Sequence, residues 1–158
     1  MKKTFISQNT VEAPESDAWL DLESISDVEI TSEDVAFPIE NALGKRQTTG
    51  WRAATNGPQV IRLVFHEPQT IRRVQMHIVD NVSERSQELV LAATLGDDIR
   101  EVIRQQWNFS PHGTTEEFED YRVELNGVTA LELKIDPDRS HDPKQSLHVA
   151  TLNRLRLA

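Results

Sequence analysis

The chain has 158 residues, 37% hydrophobic and 27% charged, which suits one domain with its own core and is too short for two of ordinary size. Its 17 basic and 26 acidic residues give a net charge of -9, which excludes a general nucleic-acid binder, because neutralising phosphates takes an excess of cations. There is no cysteine, so disulfide frameworks, zinc–thiolate centres and cysteine nucleophiles are excluded, and no apolar run reaches the roughly 18 residues of a membrane span.

The charge is concentrated at the start. Residues 1–40 hold 2 basic and 10 acidic residues, a net of -8, and residues 41–158 hold 15 and 16, a net of -1. Met1 to Asn9 has a basic tip and no apolar stretch behind it, so no secretory signal is read and a cytoplasmic location is expected. Residues 1–16 lack periodicity, and residues 1–18 are expected to form an acidic, partly disordered arm ahead of one domain over 19–158. Such a run is ordinarily a solvated tail, and its sharper reading is an arm that docks on a basic partner.

The body reads as strands. A first strand is expected near Val28 to Thr31. Val60-Ile61-Arg62-Leu63-Val64-Phe65 is an apolar run, expected to stop at Glu67-Pro68. Val74, Met76 and Ile78 share one face of the next strand. Glu88 to Thr94 follows, closed by a hairpin turn at Leu95-Gly96-Asp97-Asp98. Ile103, Trp107 and Phe109 share a parity, as do Tyr121, Val123 and Leu125. Asn126-Gly127 is the strongest turn signal, and Leu131, Leu133 and Ile135 alternate after it. A last strand is expected through Leu147, Val149, Leu152, Leu155 and Leu157. About eight strands, each with one greasy face, predict an all-β antiparallel sandwich with binding loops at its ends.

Asn41-Ala42-Leu43-Gly44, then Thr49-Gly50-Trp51, the strand Val60–Phe65, Pro68, Thr70-Ile71 and Val74 follow one another in an order that resembles the discoidin or coagulation-factor C-type domain. The closing Ser146-Leu147 and Ala150-Thr151-Leu152-Asn153-Arg154-Leu155-Arg156-Leu157 resemble that family's final strand. The resemblance implies a galactose-binding-like jelly roll of eight strands. It also implies non-catalytic recognition of sugars, lipid headgroups or proteins through loops at one end. Calcium-binding relatives place an Asp in the first loop and a Glu in the last strand. Here Gly44 follows Leu43 directly, with Lys45 and Arg46 next, and the last strand offers Asn153 and Arg154. A hard cation needs oxygen ligands with carboxylate charge. No calcium and no other cofactor is therefore expected, and Arg154 is expected to replace the cation by bonding loop carbonyls.

Arg52, Asn56, Arg85, Asn108, His112 and His141 are the expected ligand-binding side chains, in the loops Arg46 to Asn56, Asn81 to Arg85, Asn108 to Thr115 and Arg139 to Lys144. Sugar recognition takes paired polar donors and a flat apolar face. Trp51 is read as a core plug rather than a ligand contact. The segment Gln105 to Glu116 reads equally as half of a polar cleft or as a loop bonded to its own backbone. His141-Asp142 lacks a nucleophile with its elbow glycines, so no catalysis is expected. The five histidines show no metal spacing, and Glu116, Glu117, Glu119 and Asp120 read as a solvated edge. The sequence thus predicts a carbohydrate-binding module, or alternatively an intracellular protein-interaction domain of the same fold. No nucleic-acid partner is expected.

Overall fold

Two strands of 21 residues each set the architecture. They are β3, Gln59–Val79, and β6, Glu116–Asp136. The computed structural model describes residues 19–46, 49–81, 84–139 and 149–158. The remaining elements are α1 (Leu22–Ile25), β1 (Ser26–Ile30), α2 (Glu40–Leu43), β2 (Trp51–Arg52), β4 (Arg85–Leu95), β5 (Asp98–Phe109), β7 (Thr151–Leu152) and β8 (Arg154–Leu157).

Both long strands change layer part-way. The first half of β3 pairs with β1 and with the second half of β6, which pairs in turn with β4, and β4 with β5. The second half of β3 pairs with β8 and with the first half of β6. A five-stranded layer, β1-β3-β6-β4-β5, and a three-stranded layer, β8-β3-β6, therefore share two strands. All pairings are antiparallel, and a short β2–β7 pair lies beside them. This is the antiparallel β-sandwich that the alternation predicts.

The crossings correct two expectations. Glu67-Pro68 does not end a strand. It lies where the β3 register slips, between Val64 and Gln69 and again to Arg73. Each slip adds unpaired residues, and the inward parity changes from Ile61, Leu63 and Phe65 to Val74, Met76 and Ile78. Asn126-Gly127 is not a hairpin turn. Both residues lie within β6, where Gly127 takes φ +72° so that the strand can bend. The turn chemistry is real, but it serves a bend in one strand instead of a reversal between two. The expected hairpin at Gly96-Asp97 joins β4 to β5.

The predicted core faces point inward. Leu89, Leu91, Leu131, Leu133, Ile135, Trp107 and Phe109 are buried between the layers. Each buried aliphatic side chain of this size contributes about 1.5–3 kcal/mol on removal from water. The last strand is split. Leu152 lies in β7 and Leu155 and Leu157 in β8, with Asn153 between them. The expected N-terminal arm and Leu147 lie outside the described residues.

Candidate functional site

The antiparallel register places four connections at one end of the sandwich. Ile30 faces Ile61, Gln59 faces Ile135, Arg85 faces Phe109 and Val79 faces Glu116. The segments 31–58, 80–84, 110–115 and the one after Asp136 therefore all leave from the same edge. Backbone hydrogen bonds tie them together: Asp80 N–H to Thr115 O at 2.8 Å, Arg139 N–H to Ser86 O at 2.8 Å, and Ala53 N–H to Ala150 O at 3.0 Å.

Buried polar side chains hold these loops. Gln59, 2% exposed, accepts from the hydroxyls of Thr31 and Ser32 at 2.6 and 2.7 Å and donates to the Thr55 carbonyl at 3.2 Å. Trp51 is buried, as the sequence predicts, and its indole N–H donates to Ser32 O at 3.2 Å. Arg85 pairs with Asp80 at 2.7 Å, their side chains 1% and 7% exposed. It also donates to Val149 O at 2.5 Å and to the Thr151 hydroxyl at 3.3 Å. Burial pushes the Arg85 guanidinium below its ordinary range, while Asp80 and Asp138 pull it back up. A buried cation needs such partners, because taking a lone charge out of water costs several kcal/mol.

Above this floor lies a pocket of about 250 Å³. Phe37 gives it an apolar wall, and the exposed guanidinium of Arg52 stands 4.4 Å from the Phe37 ring centroid. Thr49, Asn81, Thr151 and Asn153 supply hydroxyl and amide groups around the mouth. Asn153 is fixed on both sides, donating its backbone N–H to His77 O at 2.9 Å and accepting Val79 N–H on Oδ1 at 3.0 Å. No carboxylate is paired with Arg52 among the described residues, so its donors are available at the pocket it lines. The arrangement offers a fixed cation, two amides and an aromatic wall, and among the described residues that line it there is no acid or base. That chemistry suits recognition of a neutral polyhydroxylated molecule.

The six expected side chains fall into different places. Arg52 lines the pocket. Arg85 lies beneath it, buried in its ion pair, and serves as the floor. Its phase on β4 carried the signal, because Arg85 and Gln87 share the inward parity of Leu89 and Leu91. Asn56 is exposed on the neighbouring loop and His112 on the tip of the β5–β6 loop, and neither lines the pocket. Asn108 lies on the outer face of the five-stranded layer, where its Oδ1 accepts from the Ser86 hydroxyl at 2.6 Å. His141 and most of the loop Arg139 to Lys144 lie outside the described residues. Phe37, Thr151 and Asn153 were not among the expected side chains, since they come from segments far apart in sequence. Asn81 and Thr49 fall inside two of the expected loops.

The loop after α2 receives the arginine expected where this chain departs from the family's calcium pattern. Arg154 Nη2 donates to the Lys45 carbonyl at 2.8 Å, a fixed cation on a loop oxygen. Lys45 also pairs with Asp21 at 3.0 Å. The group Glu116 to Asp120 is not a merely solvated edge. Glu116 meets His77, Glu119 accepts the Trp107 indole N–H at 3.1 Å, and Asp120 pairs with Arg73.

Comparison with known proteins adds the fold's relatives. No protein-family model and no curated protein matches the sequence. Solved structures do match. The fold is that of the family 32 carbohydrate-binding modules. The chain is similar to the module CBM32-3 from a family 31 glycoside hydrolase of Clostridium perfringens, at 15% identity and a TM-score of 0.64, covering 90% of this chain and 95% of that one. It is similar to the family 32 module of C. perfringens NanJ in complex with galactose, at 13% identity and a TM-score of 0.58, covering 88% and 96%. A third is CBM32-5 of C. perfringens GH89, in complex with GalNAc-β-1,3-galactose, at 13% identity and a TM-score of 0.57, covering 88% and 98%. At these identities the family 32 likeness is one of fold.

Proposed function

We propose that this family 32-like sandwich is a non-catalytic carbohydrate-binding module of discoidin type, which takes a neutral saccharide in the pocket at its loop end. The observation that carries the reading is the convergence of Arg52, Phe37, Asn81 and Asn153 around one pocket of about 250 Å³. Arg52 and the two amides donate to and accept from vicinal hydroxyls, and the Phe37 ring meets the C–H face of the sugar. The pocket falls below the roughly 300 Å³ lower bound of drug-sized sites, which fits one sugar unit at a chain end. Two of the structures sharing this fold were solved with galactose or a galactose-containing disaccharide, and galactose-type sugars are the first probes to use.

Isothermal titration of the chain with galactose, N-acetylgalactosamine and lactose tests the reading. At least one is expected to bind saturably, and Arg52→Ala is expected to weaken it about tenfold or more without a change in melting temperature. Failure of these sugars and of a broad glycan array to bind overturns it. So does binding that Arg52→Ala and Asn81→Ala leave unaltered.

A further inference from the structure

The outer surface of the three-stranded layer carries a second constellation. The register sets its side chains in two rows. Arg156 lies opposite Gln75, and one step along the strands Arg154 lies opposite His77, which in turn faces Phe118. The rows are about 6.6 Å apart and neighbouring strands about 4.8 Å. A groove of about 430 Å³ runs over this grid. Another of about 350 Å³ lies on the far side of the same two arginines, beneath Trp19. The Trp19 ring centroid stands 5.6 Å from the Arg156 guanidinium, and Phe118 is 58% exposed at the other end. Two aromatic rings thus bracket two arginines.

The cations here are not all consumed. Asp120 is held by Arg73 at 2.8 and 2.5 Å, and Glu116 by His77. Arg154 spends Nη2 on Lys45 O and its Nε is buried, which leaves its other amino group to the groove it lines. Arg156 faces no carboxylate partner among the described residues. In a chain of net charge -9, a face with spare guanidinium donors and exposed aromatics is an exception to the overall acidity.

We propose that this face is a second binding site, for an acidic oligosaccharide. Its anionic groups lie on Arg154 and Arg156, and its sugar rings lie along Phe118 and Trp19. Guanidinium forks match carboxylate and sulfate oxygens, and aromatic faces match sugar C–H surfaces. The proposal shares with the loop-end reading only the saccharide class, and the two sites are separately testable.

The experiment titrates the chain with an unbranched tetragalacturonide, with its fully methyl-esterified form and with a sulfated neutral tetrasaccharide, while tryptophan emission is followed. Trp19 is half-exposed on this face and Trp51 lines the loop-end pocket, so the emission change is assigned to this face by its persistence in Arg52→Ala. Saturable binding of the tetragalacturonide is expected, at least about tenfold tighter than its methyl ester and about tenfold weaker in Arg156→Gln. Phe118→Ala, at an exposed position, is expected to weaken it about threefold. Arg52→Ala leaves it unaltered while weakening neutral-sugar binding about tenfold or more. Binding of the sulfated sugar without the uronide also supports the site and assigns the anion as a sulfate ester. The proposal is overturned if neither acid binds, or if acid binding is lost in Arg52→Ala and kept in Arg156→Gln. Loss of neutral-sugar binding alone sinks only the loop-end reading.

Discussion

The two ends of the sandwich are built on opposite plans. At the closed end the chain turns within its own ladders. β3 and β6 bend at register slips and at Gly127, and β4 joins β5 through Gly96-Asp97. At the loop end the chain leaves the ladders in several connections, and buried Gln59, Arg85, Gln87 and Asp138 hold them. Backbone irregularity is absorbed at one end by strand geometry and at the other by buried polar side chains. The closed end therefore depends on apolar packing, and the loop end depends on electrostatics and hydrogen bonds.

Substitutions at matched positions test this contrast. Arg85→Ala has the largest expected effect, about 3–5 kcal/mol, because it strips the ion-pair partner from buried Asp80. Urea denaturation measures it, and a loss under 1 kcal/mol would mean that the loops do not rest on this pair. The next contrast uses two glycines with positive φ. A Cβ on Gly50, at the loop end, would lie 2.5 Å from Asn153 Cα and 2.8 Å from Leu152 O, so Gly50→Ala is expected to cost more than about 2 kcal/mol. Gly127→Ala, at the closed end, meets nothing within 4 Å and is expected to cost about 1 kcal/mol, from backbone strain alone. Equal melting temperatures for the two variants would remove the distinction.

Arg154→Ala removes the bond to Lys45 O and is expected to cost about 1–2 kcal/mol, with Arg154→Lys recovering part of it. Unchanged melting would show that the loop after α2 does not rely on that guanidinium. The smallest effect is one of pH. The hydrogen-bonded Arg73 guanidinium holds the Asp120 carboxyl below its ordinary value of 3.8, against the opposing effect of burial. A lowered folded-state value contributes stability that is fully present above the unfolded value and lost as pH falls through the folded one. The gap in urea midpoint between the native chain and Arg73→Gln should thus be full at neutral pH and narrow below about pH 4. A gap that stays constant down to pH 2 would assign the effect to packing.

The strand faces were legible because alternation is written into each segment. Val74, Met76 and Ile78 declare one face, and Trp107 and Phe109 another. What joins the segments was less legible. Gly127 and Pro68 carry the residue types of chain reversal, and a bulge uses the same backbone freedom. The pocket was legible in part. Arg52 stands in a polar loop and was readable there, whereas Phe37 and Asn153 meet it only after β2 and β7 have paired. Arg85 misled because a charged residue beside a loop suggests a ligand contact, yet its parity with Gln87, Leu89 and Leu91 placed it inside. Arg154 was readable from its departure from the calcium-binding pattern of the resembling family.

The sharing of β3 and β6 by both layers has a kinetic consequence. Gln59 must find Ile135, and Ile71 must find Leu125, before either layer is complete. Among the described residues, only β4 and β5 pair through a short reversal. Chains dominated by such distant partners pay the entropy of closing large loops before contacts reward it, and they refold over milliseconds to seconds. The β4–β5 hairpin is the one piece able to assemble early, and amide exchange during refolding should protect Leu89 and Leu91 from the β5 side before any residue of β8 is shielded.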